Sequence, residues 1–522
     1  MLRADKSALL WLGGLCLLAG FWLRFYDLDR MLVWHDEVYS IARVLGISHK
    51  ELVSTLFDGQ AHSPQELLQL QRPQPGKGLA ETWHALKEHP EHGPLFYLAG
   101  WSATHWIEDP RLALRGTSAA LGLLLFPALY WLSRELFDRR TAWIAVSLAA
   151  ASPLFLLYAR EARQYAFWLA LVVAASAALL RALRRQDLSA WGLYAALLIL
   201  ACYTHLLTVQ VILAHGLFLI LLYSRKREEL LRVGRRAGAV WAVTGIACIP
   251  WGLVILERLD AMRRFTGWMN DEATLGRLVD GWMGHLNRLY WDLPGFEAWW
   301  PLGVLILFSG LLWFFRRGPR EARLLLGSII LLTLVVTVLP DMLLEGKRSL
   351  QVRYLLPLLL VLQLVAAWGL ARGLGSTRQM QRGATVGLLL LLLGAGFVSD
   401  WRIVNADTWW TKSFSTENAR FAERINTGER PLLVGSYHDV GSGELLSLAY
   451  RLEPKVRVWM EKYQAPLNIP QDFTDLYALN PSKRIRDRFA ERYRFERFDG
   501  SWKWYLAVPL SRHETLDGTH SN

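Results

Sequence analysis

The sequence predicts a polytopic α-helical membrane protein with about eleven transmembrane helices, a large first extracytoplasmic loop and a small C-terminal soluble α/β domain. Three observations carry that prediction. Of 522 residues, 53% are hydrophobic and only 20% charged, with a mean hydropathy of +0.19; soluble domains carry about 25% charged residues. The apolar residues sit in uninterrupted blocks such as LLLGSIILLTLVVTVL (324–339) and LLPLLLVLQLVAAWGL (355–370). With their flanks these approach the ~20 residues that a helix needs to cross a bilayer. The positive charge is unevenly placed: 399–522 holds 18 Lys+Arg against 17 Asp+Glu, so +11 of the net +12 lies before it, in short clusters between apolar blocks. That is a positive-inside topology signal and not a nucleic-acid footprint. A soluble enzyme, a disordered chain and a disulfide-stapled domain are excluded, the last because Cys16, Cys202 and Cys248 all fall in apolar segments.

Taken in order, the N-terminal apolar stretch is too long for a signal-peptide core and lacks a small-x-small cleavage site. It is expected as a retained first span, 7–25, with Arg3 and Lys6 cytoplasmic. Segment 26–110 has mixed charge and no full-length apolar run; its piece PLFYLAGWSATHW (94–106) is too short to cross and is expected as an interfacial or re-entrant helix. Arginine clusters at 134–140, 181–185, 225–236, 316–323 and 372–382, taken as cytoplasmic, set the parity of the remaining spans. These are expected at 112–132, 141–157, 166–182, 190–208, 209–224, 237–256, 299–315, 322–339, 355–371 and 384–398. The same parity puts 26–110, 158–165, 257–298, 340–354 and everything after 399 on the extracytoplasmic face. The tail mixes strand-like runs (PLLVGSY, VRVWM, WYLAVPL) with amphipathic pieces (STENARFAERIN, PSKRIRDRFAERY), the texture of a folded α/β domain. The expected division is therefore 1–398 for the membrane domain, including the 26–110 loop, and 399–522 for the tail.

Charges at the outer ends of spans are costly unless they have work to do, and four groups stand there. In LVWHDEVYSIARV (32–44), His35, Asp36 and Glu37 open a helix-like run. Neighbouring helical positions point about 100° apart, so one acid can face a cavity as a general base while the other takes a structural partner; simple helix capping explains the pair equally well. In EHPEHGPLFYLAGW (88–101), His89, Glu91 and His92 crowd before Gly93-Pro94. Glu91 and His92 are candidate ligands of a divalent metal, without the spacing of a zinc motif; the alternative is a polar loop entering an interfacial helix. In SPLFLLYAREARQYAF (152–167), Arg160 and Arg163 lie three apart with Glu161 between them and Tyr158 and Tyr165 flanking. They make a fork suited to phosphate, or anchors against lipid headgroups. In EGKRSLQVRYLLP (345–357), Lys347, Arg348 and Arg353 put three cations on the face where positive-inside bias disfavours them.

These motifs, in this order and on one face, resemble the C-type (GT-C) membrane glycosyltransferases, particularly the protein O-mannosyltransferases and the bacterial aminoarabinose transferases. The resemblance rests on WHDEVYS, on EHGPLFYL (where relatives usually have His-Pro-Pro-Leu), on SPLFLLYAREARQYAF and on RYLLP, and spans about 30–370. It implies a multi-pass protein of a bacterial inner membrane that moves a sugar from a polyprenyl-phosphate-linked donor to an acceptor protein, glycan or lipid on the outer face, with inversion. Residue by residue, it implies Asp36 as catalytic base with Glu37 in support. Arg160, Arg163 and Arg353 would hold the donor phosphate, with Tyr158, Tyr354 and Lys347 nearby, and His35, Glu91, His92 and Glu161 complete the site. A metal is left open by the replacement of the first proline with Gly93. The competing class is a transporter or flippase of a lipid-linked anion, against which stand the one-sided clustering of the charges and the absence of a visible inverted repeat.

Overall fold

The structure, a computed structural model, describes residues 2–295, 300–438 and 440–510. The expected segments 257–298, 299–315 and 399–522 each run partly outside these residues. The chain forms two compact units: one from Met1–Leu28, His89–Ala103 and Ala113–Asn405, the other from Asp29–Glu88, Thr104–Leu112 and Ala406–Asn522.

The first unit is helical, and each expected span contains helix. Among the described residues, seven helices are long and apolar enough to cross a membrane: Ser7–Phe25, Pro110–Leu136, Tyr165–Arg185, Arg227–Glu257, Arg320–Leu344, Leu356–Leu374 and Gln379–Val404. The chain is an integral membrane protein. The count expected from the sequence was eleven, and the difference has local causes. The span expected at 141–157 is two helices, Arg139–Ala150 and Pro153–Ala159, bent by 63°. Pro153 has no N–H to give the Ala149 carbonyl, which accepts instead from Arg24 Nη2 at 3.4 Å. The spans expected at 190–208 and 209–224 are the shorter helices Leu188–Cys202 and Thr208–Tyr223. Between them Thr208 Oγ1 donates to the Ala201 and His205 carbonyls, both at 2.8 Å, a local side-chain bond that competes with helix continuation. Trp300–Arg317 forms a helix of 18 residues where the span 299–315 was expected.

The second unit is α/β. Its six-stranded sheet runs β1 (Ala61–His62), β3 (Arg457–Met460), β2 (Pro431–Gly435), β4 (Asp475–Leu479), β6 (Trp504–Pro509) and β5 (Tyr493–Arg497) in spatial order. β3, β2 and β4 are parallel; β1 and the β5–β6 hairpin flank them antiparallel. All five residues of β2 are buried, as expected of a central parallel strand covered on both faces. One face packs Leu432, Val434, Trp459, Ile485 and Phe489 into a single core. Across the other, Phe421 stacks on Trp504 at 4.7 Å.

The tail does not stand alone. β1 comes from the segment 26–110, pairing Ala61 with Trp459, and Trp459 Nε1 donates to the Gly59 carbonyl at 2.8 Å. Helix His35–Val44 lies against helix Gly441–Ala449 so closely that a Cβ on Gly443 would sit 2.7 Å from His35 Cβ and 2.9 Å from the Tyr39 ring. Of the 26–110 segment, Asp29–Glu88 and Thr104–Leu112 group with the tail, while His89–Ala103 stays with the helical unit. The expected consequence is that a fragment 406–510 expressed alone, stripped of β1 and of helix His35–Val44, melts without cooperativity in differential scanning calorimetry. A sharp transition from that fragment would contradict the grouping.

Candidate functional site

In the helical unit the sequence-predicted cations sort into those gathered around one aromatic ring and those engaged elsewhere. Arg163, 2% exposed, and Arg353 approach the Tyr165 ring to 5.7 and 5.6 Å, and Arg353 also lies 5.5 Å from the Tyr354 ring. Tyr158 meets Tyr165 edge-on at 5.7 Å. His205 stands 5.6 Å from Tyr165, 6.2 Å from Tyr354 and 4.6 Å from Trp168. The fold thereby brings two guanidinium groups, three tyrosines and an imidazole from three stretches of sequence to one place. Ser118 Oγ pins the connecting turn by donating to the Tyr158 and Arg163 carbonyls at 3.3 and 3.2 Å. Glu161, also buried, acts electrostatically on Tyr158. Arg163 Nη2 also donates to the Tyr165 hydroxyl at 3.4 Å; a guanidinium presents its N–H donors in one plane, the geometry that suits a phosphate.

The His92 loop is joined to this cluster through its backbone. His92 pairs with His205 in a bridge, Leu95 N donates to the Tyr203 carbonyl at 3.0 Å, and Gln164 links the His92 ring at 3.4 Å to the Tyr97 hydroxyl at 3.1 Å. Gly93 is what permits the approach: a Cβ there would lie 2.3 Å from the Tyr203 carbonyl oxygen. A proline has no room at this position, which accounts for the departure from His-Pro-Pro-Leu. Glu91 Oε1 lies 3.2 Å from His89 Nδ1 and 3.7 Å from His92 Nε2. Among the described residues no group of three or more His, Cys, Asp or Glu side chains is arranged to hold a metal ion.

Two expected phosphate ligands have other work. Arg160 donates to the carbonyls of Leu23 (2.7 Å), Tyr26 (2.6 Å) and Asp27 (3.0 Å), closing the C-terminal end of the first helix, whose last carbonyls have no partner within the helix. Its three-residue spacing from Arg163 does not make a fork, because the chain leaves the helix at Arg160 and resumes it at Tyr165. Lys347 pairs with Asp271 at 2.6 Å and lies 6.0 Å from the Trp268 ring, and Arg348 donates to Asn270 Oδ1 at 2.6 Å.

In the α/β unit the acidic pair is divided. Glu37 is fully buried at the third position of helix His35–Val44. Its Oε2 accepts from Trp34 N at 3.4 Å and lies 3.6 Å from Lys412 Nζ, which sits over the Trp34 ring at 5.1 Å. This is one arm of a capping box; the other is missing because an indole has no acceptor to return. The Asp36 side chain is 18% exposed, with Oδ1 3.4 Å from His35 Nε2. His35 Nδ1 is 3.3 Å from Glu444 Oε1. Burial acts to raise the Glu444 carboxyl, but the Lys503 ammonium and the His35 ring outweigh it and hold the group below its ordinary value. Sequence reasoning missed His205, Lys412, Glu444 and Lys503. Several had a faint signal: a histidine inside the apolar run 190–224, a lone acid in GSGELLSLA, a lysine between two tryptophans in WKW.

Residues 89–251 match the sequence model of the dolichyl-phosphate-mannose-protein mannosyltransferases, a stretch that contains the His92 loop and Arg163 but neither Asp36 nor Arg353. No curated protein matches the chain. Among solved structures, ArnT from Cupriavidus metallidurans bound to undecaprenyl phosphate aligns with 97% of this chain and 99% of its own at TM-score 0.53 and 14% identity. Its apo form aligns with 97% and 98%, at the same TM-score and identity. The apo oligosaccharyltransferase of Archaeoglobus fulgidus aligns with 88% of this chain and 65% of its own at TM-score 0.49 and 14% identity. The fold is that of the GT-C membrane glycosyltransferases.

Arg160→Ala leaves three carbonyls at the end of the first helix without a donor and should cost about 3 kcal/mol or more, read as a fall in melting temperature. A variant that melts with the native protein would contradict this role for Arg160.

Proposed function

We propose that the chain is a glycosyltransferase that takes a hexosyl or pentosyl group from a polyprenyl-phosphate-linked donor and passes it, with inversion, to an acceptor at the extracytoplasmic face of a bacterial inner membrane. The observation that carries this reading is the pairing of Arg163 and Arg353 over Tyr165 within a helical unit of GT-C fold. The match of residues 89–251 to a mannosyltransferase family and the undecaprenyl phosphate bound by ArnT support the donor class. The comparisons give no support to a transporter or flippase.

The chemistry follows from charge. A polyprenyl-phosphate sugar leaves as a phosphate whose negative charge grows while the glycosidic bond breaks. Fixed guanidinium groups in a site shielded from water stabilise that growth more than they stabilise the ground state. Arg163 and Arg353 take this role, with Tyr158, Tyr165 and Tyr354 holding their planes. Asp36 is the base: partly exposed, its carboxylate accepts the proton of the acceptor hydroxyl or amine as the nucleophile attacks C1 of the sugar from the side opposite the phosphate. Glu37, buried against Lys412 and the helix end, supports the geometry of Asp36. The parity of the basic loops favours a tail, and Asp36 with it, outside the cytoplasm.

Two outcomes are expected. Asp36→Asn should lower turnover by ~10²–10⁴, the range for a lost general base, with donor affinity unchanged, whereas Arg163→Ala and Arg353→Ala should weaken donor binding itself. Kinetics and donor binding in nanodiscs separate the two, and an Asp36→Asn protein of native turnover would refute the assignment. Cysteines introduced at Ser413 and at Lys226 should be labelled by a membrane-impermeant reagent only at the former in intact cells; labelling at both would overturn the topology.

A further inference from the structure

Behind Asp36 lies a chain of charged groups that its role as base does not by itself explain. The His35 ring stands between two carboxylates, with Nε2 3.4 Å from Asp36 Oδ1 and Nδ1 3.3 Å from Glu444 Oε1. Glu444 is fully buried. Ser415 Oγ donates to its Oε1 at 2.7 Å, and Asn418 Nδ2 (3.2 Å) and Lys503 Nζ engage its Oε2. Lys503, also fully buried, donates in addition to the Phe414 carbonyl. The imidazole is held from every side: Trp34 at 4.8 Å and Phe414 at 5.1 Å meet it edge-on, and its backbone N–H donates to Ser415 Oγ at 3.2 Å. Gly443, one residue before Glu444, lets the two helices approach, and its N–H donates to the Tyr39 hydroxyl at 3.2 Å. Buried charges at this density are expensive unless mutually satisfied. A surface helix capped by Asp36 and Glu37 requires none of them.

Resting on the assignment of Asp36 as base, we propose that His35 is a positioning and proton-relay residue, and that the tail's Glu444, itself fixed by Lys503, holds the His35 ring in the tautomer that carries its proton on Nδ1. Nε2 is then an acceptor facing Asp36. When the acceptor O–H or N–H bond breaks, its proton goes to an Asp36 oxygen and then to Nε2. Asp36 is returned to the carboxylate, and the imidazolium is stabilised by Glu444 on its far side. The logic is that of a carboxylate orienting a histidine in a hydrolase triad, applied to a carboxylate base. Ionised Glu444 is what the relay needs, and its lowered carboxyl value, burial being outweighed by Lys503 and His35, agrees. The charged and titratable groups facing the ring are Asp36 and Tyr39 on its own helix, Glu444 on helix Gly441–Ala449 and, through Glu444, Lys503; Glu37 is occupied by Lys412. The α/β tail, which carried no assigned role, thus completes the base.

The test is the pH dependence of kcat at saturating donor for the full-length protein in nanodiscs, with donor affinity measured in parallel, for the native chain, His35→Gln, Glu444→Gln and Asp36→Asn. If His35 must be neutral for the relay, the acid limb of the native profile is governed by two coupled protons. His35→Gln should leave donor affinity intact, lower kcat roughly 10- to 100-fold, the scale for losing an orienting partner, and reduce the limb to one proton. Glu444→Gln should lower kcat likewise; if stranding Lys503 prevents folding, Glu444→Gln combined with Lys503→Met takes its place. A His35→Gln protein with the native slope overturns the relay whatever its rate, because a merely structural loss lowers kcat at every pH alike. Failure of the relay and failure of the base remain distinguishable. An inactive Asp36→Asn beside an unchanged His35→Gln slope overturns the relay alone, and an active Asp36→Asn overturns the base and the relay with it.

Discussion

Taking an ionised group out of water costs several kcal/mol unless a partner of opposite charge or a set of hydrogen bonds replaces the solvent, and both units of this protein are organised around meeting that cost. In the helical unit, Arg24, Arg115 and Arg160 are buried together with Asp400, which interacts electrostatically with Arg24 and Arg160. Their guanidinium groups are spent on backbone carbonyls: Gly20 and Ala149 from Arg24, Leu28 from Arg115, and Leu23, Tyr26 and Asp27 from Arg160. Carbonyls buried away from water need another donor, and at the end of the first helix and at the Pro153 bend arginines supply it. In the α/β unit the same requirement joins loop to tail, through Glu37 with Lys412 and through Glu444 with Lys503.

Under this constraint the cations divide by what holds them. Arg163 and Arg353 are gathered on the Tyr165 ring, and Arg163 Nη2 also donates to the Tyr165 hydroxyl at 3.4 Å. Arg160 makes three carbonyl bonds and Lys347 a carboxylate pair, work that belongs to the scaffold. A transferase with a charged leaving group needs few cations, fixed in advance of the reaction. Ser118 pins the turn between Arg160 and Tyr165 through the Tyr158 and Arg163 carbonyls, the rigidity that the proposed phosphate role asks of Arg163.

Much of the fold was legible because the bilayer imposes a strong rule on sequence. Runs such as 355–370 and the arginine clusters between them located the long helices of the membrane unit, and a single chemical idea, an anion held by cations on the outer face, named Arg160, Arg163, Arg353 and Lys347 together without separating them. What was not legible depended on contacts distant in sequence. The two residues of β1 carry no strand signal; they are a strand only because Arg457–Met460 offers an edge. The role of Arg160 is fixed by where the first helix ends, far upstream at Phe25, and periodicity cannot report that. The break at His205 was hidden inside an apolar run, since a hydroxyl and an imidazole turn the chain there without Gly or Pro. Nothing in the sequence joins Glu444 and Lys503 to Asp36; the seating of Gly443 on His35 does.

The central claim is that this fold breaks a glycosidic bond to a polyprenyl phosphate instead of moving the intact lipid. The measurement that tests it most directly uses purified protein reconstituted in proteoliposomes containing a polyprenyl-phosphate-linked sugar labelled in the sugar, with candidate acceptor outside. The account predicts that label leaves the lipid fraction and appears on the acceptor, that free polyprenyl phosphate accumulates in equal amount, and that both stop in Asp36→Asn. Label that stays on the lipid while the lipid exchanges between leaflets would contradict it and establish a flippase.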